Sequence, residues 1–130
     1  MKKVIKGGKV TTSTDVFEAD LLIEDGVITQ IAKTIDVADA EVIDASGKYV
    51  MPGGIDPHTH LDMPFNNTVT DDDWESGTVA AAFGGTTTIL DFCLSAGETK
   101  LSDAVAKWHA KAQGKAVIDY GFHLMITDLT

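Results

Sequence analysis

The fold is decided by residues 50–60, which read Val-Met-Pro-Gly-Gly-Ile-Asp-Pro-His-Thr-His. This stretch is typical of a strand that runs into a loop, and it ends in His58 and His60 with one residue between them. Side chains of a strand alternate between its two faces, so we expect both imidazoles on one face and Thr59 on the other. Two adjacent imidazoles can share one metal ion or hold one ion of a pair. The alternative is two strand histidines that pack or form hydrogen bonds without a metal.

The residues before the histidines favour the metal interpretation. Gly53 and Gly54 permit backbone angles that a residue with Cβ resists, so they mark a sharp junction in the chain. Pro57 has no amide hydrogen and fits poorly in a fully paired central strand. We therefore expect the histidines where a strand leaves its sheet. In parallel α/β barrels, that end of the strand carries the chemistry.

Composition excludes several classes of partner. The formal net charge is −10, from 10 basic and 20 acidic residues, and it opposes binding to nucleic acid or to an anionic membrane surface. Cys93 is the single cysteine, so no internal disulfide can form, which is compatible with a cytoplasmic location. The N-terminus has no long apolar run behind it, so we expect neither a signal peptide nor a transmembrane segment.

The first 49 residues are typical of short strands joined by turns. Residues 4–10 predict a strand, a turn at the two glycines and a second strand. Asp25-Gly26 lies between apolar runs and predicts a type I′ hairpin, because both turn residues must accept positive φ. Residues 41–45 predict another strand. Together these elements predict a small all-β module over residues 1–52.

The rest of the chain alternates between strand and helix patterns. We expect a helix that opens near residues 70–73, with Thr70 and Asp73 as its capping box, and that stops at Gly84. A β-branched strand over residues 86–92, a helix over 101–113 and a strand over 116–126 follow. Two consecutive βαβ units result. A complete barrel needs about 250 residues, so the chain is expected to be an N-terminal piece of a larger protein.

Three segments carry a family resemblance. Residues 52–65, Pro-Gly-Gly-Ile-Asp-Pro-His-Thr-His-Leu-Asp-Met-Pro-Phe, closely resemble the first barrel strand of the hydantoinases and dihydropyrimidinases, in the cyclic-amide branch of the amidohydrolase superfamily. Residues 84–92 and 119–124 resemble the same family further along. The resemblance implies an α/β fold. Residues 1–52 would be the N-terminal part of a small β-sandwich, which C-terminal strands complete, and residues 53–130 the first three β/α units of a TIM-like (β/α)8 barrel.

The resemblance also implies a chemistry. The family hydrolyses the ring amide of cyclic diamides, turning 5-substituted hydantoins into N-carbamoyl amino acids and dihydropyrimidines into N-carbamoyl-β-amino acids. It uses two divalent ions, expected to be zinc, and His58 and His60 match two of the ligands. A bridging carboxylated lysine, two more histidines and a catalytic aspartate come from later strands, so this chain would hold no catalytic residue beyond its metal ligands. The isolated chain is expected to be inactive, and the whole protein a homotetramer acting on a small cyclic amide.

Further residues are expected to shape the pocket by the same resemblance. Met63 and Phe65 lie on a predicted loop over residues 62–67, and Leu94 precedes a second loop; all three match substrate-binding positions. The alternative is that Met63 and Phe65 pack into the core. His109 is expected to face solvent and His123 to pack in mid-strand, so both are left out of the site. Cys93 has no visible basic partner and is expected to be a small buried residue.

Related activities are distinguished by few residues. In dihydroorotases the residue two after the second histidine is typically an arginine that holds the substrate carboxylate, whereas Asp62 occupies that position here. Asp62 would repel an anionic substrate, which favours neutral cyclic diamides. Allantoinase is less well excluded. Non-catalytic dihydropyrimidinase-related assembly proteins have lost metal ligands, whereas His58 and His60 are both present.

Overall fold

A computed structural model describes residues 1–95 and 100–126 of the chain. The chain divides into two compact units, Met1–Pro52 and Gly53–Thr130, which are described separately. Within the described ranges, none of the helices has the length and apolar character needed to cross a membrane.

The first unit is a mixed five-stranded sheet. Its strands are β1 (Lys2–Thr11), β2 (Val16–Glu24), β3 (Val27–Ala32), β4 (Glu41–Asp44) and β5 (Tyr49–Val50). The order is β3-β2-β1-β4, and β5 also pairs with β1. β1, β2 and β3 are antiparallel neighbours, whereas β4 and β5 both run parallel to β1. Two small clusters of buried aliphatic residues, centred on Val4 and on Val10, support this sheet.

The hairpin between β2 and β3 confirms the turn prediction. Asp25 and Gly26 connect the two antiparallel strands, with φ values of 50° and 84°. Positive φ at both positions is the requirement of a type I′ turn.

The predicted turn at Gly7 and Gly8 was wrong, because β1 continues through both glycines. The pairing register with β2 shifts between Ile5 and Gly8, and Gly7 has a φ of 71°. A glycine at positive φ here forms a β-bulge, which bends the strand without reversing it. The bulge is held by Asp20, whose carboxylate accepts from the Gly7 N–H at 2.9 Å and from the Ile35 N–H at 2.9 Å. These two hydrogen bonds lower the pKa of Asp20, and the bond from Gly7 has the larger effect.

The second unit contains a three-stranded parallel sheet flanked by two helices. In chain order it comprises β6 (Gly54–Thr59), β7 (Pro64–Phe65), β8 (Thr68–Val69), α1 (Trp74–Phe83), β9 (Thr86–Leu94), α2 (Leu101–Ala112) and β10 (Asp119–Met125). The sheet order is β10-β9-β6, and β7 and β8 form a separate hairpin. The two βαβ units expected from the sequence are therefore present.

β6 departs from regular pairing at Pro57. Asp56 pairs with Ile89 and Thr59 with Asp91, so the register shifts across Pro57 and His58. Within the described sheet β6 is an edge strand. Both features accommodate a residue without an amide hydrogen. The strand ends at Thr59, and His60 follows it.

The N-cap of α1 lies three residues later than the predicted cap. Asp73, rather than Thr70, is the N-cap, and its side chain accepts from the backbone N–H groups of Glu75 and Ser76. Ser76 completes the capping box by accepting from the Asp73 N–H at 3.1 Å. The predicted cap was wrong because the Thr70 hydroxyl is used elsewhere: it accepts from the Met63 N–H at 2.9 Å. The predicted stop at Gly84 is confirmed.

The core of the second unit lies between its sheet and its helices. Its fully or almost fully buried members are Trp74, Ile89, Cys93, Trp108 and Ala112. The two tryptophans belong to different helices, so both α1 and α2 are fixed against β9 and β10 by large apolar side chains.

Candidate metal centre

The imidazoles of His58 and His60 lie side by side at the carboxyl-terminal end of β6. Their ring centroids are 5.0 Å apart and their planes are almost perpendicular, at 89°. The alternation along β6 places both rings on one face, as the His-x-His spacing predicts. His58 is exposed and His60 is half-buried.

Phe92 on β9 packs against the rings of both histidines. Its ring centroid lies 4.5 Å from that of His58 and 5.2 Å from that of His60. The sequence analysis missed this residue, since it treated residues 86–92 only as a buried strand. No local pattern could have identified it, because its place beside the histidines depends on the parallel register, which pairs Thr59 with Asp91.

A buried nitrogen of His60 is compatible with a metal at this position. Its Nδ1 atom is inaccessible to solvent and has no hydrogen-bond partner. An unsatisfied buried polar atom costs about 1–3 kcal/mol, and a bonding partner for Nδ1 would remove that cost. Imidazole nitrogen is also a preferred donor for zinc and related ions.

The described part of the chain supplies only part of a coordination shell. Within residues 1–95 and 100–126, no group of three or more His, Cys, Asp or Glu side chains is arranged to hold an ion. A catalytic zinc site uses three protein ligands and an open position. His58 and His60 therefore fit a metal as two members of a larger donor set.

His123 shares this face of the sheet without joining the pair of histidines. Its ring packs on Phe92, with centroids 4.9 Å apart. Its Nε2 lies 3.0 Å from the carbonyl oxygen of Pro57, which can only accept, so the proton is on Nε2. This hydrogen bond agrees with the expectation of a packed, hydrogen-bonded histidine. His109, expected to face solvent, is exposed but also packs its ring on Phe122, with centroids 4.8 Å apart.

The opposite face of β6 is anchored to a buried carboxylate. Thr59 points away from the histidines, and its hydroxyl donates to Asp91 Oδ2 at 3.0 Å. Asp91 is fully buried. Sequence analysis did not identify Asp91, because its partners come from two other elements.

The segment after His60 is a hairpin rather than the predicted loop. β7 and β8 pair through Pro64 with Val69 and Phe65 with Thr68. Asn66 and Asn67 form the connection at φ values of 44° and 66°, a pattern of the type I′ turn that sequence analysis overlooked.

The three predicted pocket residues differ in exposure. Phe65 is exposed by 62%, so the alternative that it packs into the core does not hold within the described structure. Met63 is half-buried. Leu94, at the end of β9, is half-buried and packs against the core cluster. Residues 96–99, where the second predicted loop would begin, lie outside the described residues.

Asp62 is paired with a lysine, which weakens the argument from its charge. Its carboxylate lies 3.5 Å from the Lys111 ammonium, and Lys111 also donates to the Asp62 backbone carbonyl. Both side chains are partly buried, and the ammonium lies over the Trp108 ring, 4.8 Å from its centroid. The repulsion expected between Asp62 and an anionic substrate is therefore largely compensated.

Cys93 has the environment of a structural residue. It is fully buried in the core cluster. Burial, with a smaller effect from the negative charge of Asp91, raises the pKa of its thiol to about 11. A neutral thiol is a poor nucleophile and a poor metal ligand, which agrees with the expectation of a small buried residue.

Comparisons with known proteins agree with this geometry. A model of the amidohydrolase family matches residues 41–123. The chain is 65% identical to a D-hydantoinase of Geobacillus stearothermophilus over 130 residues, which are all of this chain and 28% of that protein. A crystal structure of a D-hydantoinase superposes with a TM-score of 0.96 at 63% identity, covering 100% of this chain and 28% of the other. A dihydropyrimidinase from Brevibacillus agri NCHU1002 gives a TM-score of 0.95 at 58% identity, with coverages of 99% and 28%.

The chain thus spans just over a quarter of the length of the relatives that it matches. The matched residues include β6 with His58, the following His60, both helices of the second unit and most of β10. The chain belongs to the amidohydrolase family, and the relatives compared above are a hydantoinase and a dihydropyrimidinase.

Proposed function

We propose that the protein carrying this chain hydrolyses the ring amide bond of cyclic diamides, namely 5-substituted hydantoins and dihydropyrimidines, in a metal-dependent reaction. The observation that carries the proposal is the side-by-side placement of His58 and His60 at the carboxyl-terminal end of a parallel strand. The high identity to a D-hydantoinase supports the choice of substrate class.

We further propose that the second unit begins a (β/α)8 barrel and that the first unit is part of a β-sandwich. Two observations support the barrel. Strands and helices alternate along the second unit, and β6, β9 and β10 pair in parallel. An apolar groove in the first unit, of about 350 Å³ and lined in part by Ile28 and Ile31, supports a sandwich whose sheet is covered by further strands.

His58 and His60 would hold a divalent ion, for which zinc suits the imidazole donors best. Amidohydrolases are generally metal-dependent. When bound, the ion supplies Lewis-acid activation of the ring carbonyl and of water. The remaining ligands, including a carboxylated lysine and a catalytic aspartate, are expected outside the described residues.

The other residues of this chain would orient the ligands and the substrate. Phe92 limits how the two imidazole rings can turn, because it contacts both. Met63 and Phe65 follow the carboxyl-terminal end of β6, and Leu94 is the last residue of β9. A barrel builds its substrate pocket at these strand ends. We propose that these apolar side chains contact the ring substituent rather than the reacting amide. Because Asp62 is paired with Lys111, its charge no longer argues for neutral substrates. The proposed preference for neutral diamides therefore rests on the similarity to the family.

The test is a substrate comparison with the intact protein. Hydrolysis of a 5-substituted hydantoin, dihydrouracil, allantoin and dihydroorotate is followed before and after treatment with a chelator, and again after Zn²⁺ is restored. We expect the hydantoin and dihydrouracil to be turned over, with loss on chelation and recovery with Zn²⁺. Turnover of dihydroorotate or allantoin alone would assign a different cyclic amidohydrolase. Absence of metal-dependent hydrolysis of all four would contradict the proposal.

A further inference from the structure

We propose that Asp91 is a positioning residue that fixes the backbone on both sides of His60 and thereby sets the orientation of its imidazole toward the metal. The proposal rests on the proposed function, since it concerns the same metal centre. It assigns a role to a buried carboxylate that accepts hydrogen bonds from Thr59, Leu61 and Trp108.

Asp91 collects three hydrogen-bond donors in the interior of the second unit. Its side chain is completely inaccessible to solvent. Oδ2 accepts from the Thr59 hydroxyl at 3.0 Å and from the Leu61 backbone N–H at 2.8 Å. Oδ1 accepts from the Trp108 indole N–H at 3.1 Å. A carboxylate can only accept, so each of these donors is held in a defined direction.

Two of the three donors flank His60 directly. Thr59 precedes it and Leu61 follows it, and both bonds reach the same oxygen atom of Asp91. The Thr59 hydroxyl also lies 3.4 Å from the Leu90 carbonyl oxygen. This distance is longer than the 3.0 Å to Asp91, so Asp91 is the better acceptor. When both neighbours of a residue are fixed, its own Cα–Cβ direction is fixed as well. Asp91 therefore orients the His60 ring, although it lies on the opposite face of the strand.

The third donor connects this arrangement to α2. Trp108 is 1% exposed and belongs to the core cluster, so its indole N–H is a rigid donor. One turn later on α2, Lys111 binds the backbone carbonyl of Asp62. α2 thus holds the exit of β6 at two points, through Asp91 and through Asp62.

The Leu61 side chain is fixed at the same time. A Cβ built on Gly77 of α1 would lie 2.4 Å from Leu61 Cδ2, so the side chain fills the space that this glycine leaves open. The residue after His60 is therefore held by its backbone at Asp91 and by its side chain at α1.

Energetics favour a positioning role over a purely stabilising one. Burying a carboxylate carries a large desolvation cost, which three hydrogen bonds only partly offset. Well-packed apolar residues often stabilise a core as well as or better than a buried charge. A buried acceptor that orients three specific donors instead provides defined geometry next to a site that needs it.

The test is the Zn²⁺ affinity of the Asp91→Asn variant in the intact protein, measured by competition with a chromogenic chelator. Asparagine has nearly the same shape but presents an NH2 group where one carboxylate oxygen was, so a donor faces a donor. We expect Zn²⁺ affinity to fall about 10–100-fold, the range found when groups that orient metal ligands are removed. The absorption spectrum of the Co²⁺-substituted variant should also change, because it reports ligand geometry.

Thr78→Val is the matched control for loss of stability. Thr78 is fully buried in the same unit, donates to the Trp74 carbonyl oxygen at 2.5 Å and accepts from the Val117 N–H at 3.2 Å. These partners do not include the histidines. We expect this variant to lower the melting temperature while Zn²⁺ affinity and the Co²⁺ spectrum stay unchanged.

Thr59 provides a second pair of variants, which decides the matter if Asp91→Asn does not fold. Thr59→Val removes the hydroxyl that donates to Asp91, whereas Thr59→Ser retains it. We expect the valine variant to lose Zn²⁺ affinity and the serine variant to keep it.

Unchanged Zn²⁺ affinity in both Asp91→Asn and Thr59→Val would overturn the inference, as would a loss of affinity no larger than that of Thr78→Val at the same loss of stability. The inference and the proposed function fail separately. If His58→Ala and His60→Ala lose metal while Asp91→Asn does not, only the positioning role is wrong. If the histidine variants keep their metal, the proposed metal centre itself is wrong.

Discussion

The rings of His58 and His60 meet edge to face, with centroids 5.0 Å apart and planes at 89°. Two imidazoles this close at the end of one strand can share one metal ion or hold one ion of a pair. The contact of both rings with Phe92 limits how far either can turn.

Phe65 provides the test of the substrate pocket. Phe65→Ala should enlarge the proposed substrate pocket, so bulky aromatic hydantoins should gain relative to dihydrouracil at unchanged metal content. Apolar contacts of this size are worth about 1–3 kcal/mol, or about 10–200-fold in relative kcat/KM. The measurement is kcat/KM for one small and one bulky substrate.

Val69→Ala is the control for that experiment, because Val69 lies in the partner strand of the same hairpin. We expect Val69→Ala to change kcat/KM for both substrates by the same factor. If Phe65→Ala also lowers kcat/KM for both substrates in proportion, Phe65 supports the fold and has no part in selecting the substituent.

The turn at Asp25 and Gly26 can be tested through backbone strain alone. A Cβ at Gly26 would meet no atom within 4 Å, whereas its φ is 84°. Gly26→Val should therefore lower the free energy of unfolding by about 1 kcal/mol or more, entirely through the disfavoured φ. Chemical denaturation measures this.

Asparagine tolerates positive φ better than valine does, so Gly26→Asn should retain most of the stability. Neither variant should alter metal content. A loss of turnover in Gly26→Val at unchanged stability would contradict the expectation that this turn affects stability alone.

Cys93 gives a prediction with a defined pH dependence. Because the pKa of its thiol is raised from 9.0 to about 11, the thiolate fraction near neutral pH is about 100-fold lower than in the unfolded chain. Reaction with a disulfide reagent should be slower in the native protein by at least that factor, and urea should restore it. Equal rates in native and unfolded protein would show that the thiol is accessible.

The same shift predicts how stability varies at high pH. The neutral thiol is favoured in the folded state, so its contribution is fully present below the pKa of the unfolded chain. As pH rises from about 9 to about 11, the unfolded chain loses this proton while the folded protein keeps it, and stability falls. Cys93→Ala should remove this component of the alkaline loss of stability.

Patterns with a fixed spacing were predicted correctly from the sequence. The alternation along a strand places His58 and His60 on one face, and Asp25-Gly26 gives the hairpin, because both depend on near neighbours. The order of strands and helices in the second unit follows from the same kind of local pattern. The register of these strands does not, and it brings Phe92 beside the histidines.

The errors arose where one residue has competing uses. Gly7 permits either a turn or a bulge, and the choice depends on Asp20, thirteen residues later, which accepts its N–H. Thr70 has the pattern of a helix cap, but its hydroxyl is used by Met63. Asp91 could not be recognised from the sequence, since its three donors come from residues 17 to 32 positions away.

The central claim is that His58 and His60 are metal ligands, and metal content measured by elemental analysis tests it most directly. The intact protein, its His58→Ala and His60→Ala variants and the control His109→Ala are purified in parallel, with circular dichroism as the check of folding. His109 is exposed on α2 and has ring contacts with Tyr120 and Phe122. We predict that each of the first two variants loses one divalent ion and its cyclic-amide hydrolysis, while His109→Ala keeps both. Full metal content and an unchanged rate in a folded His58→Ala or His60→Ala variant would contradict the assignment.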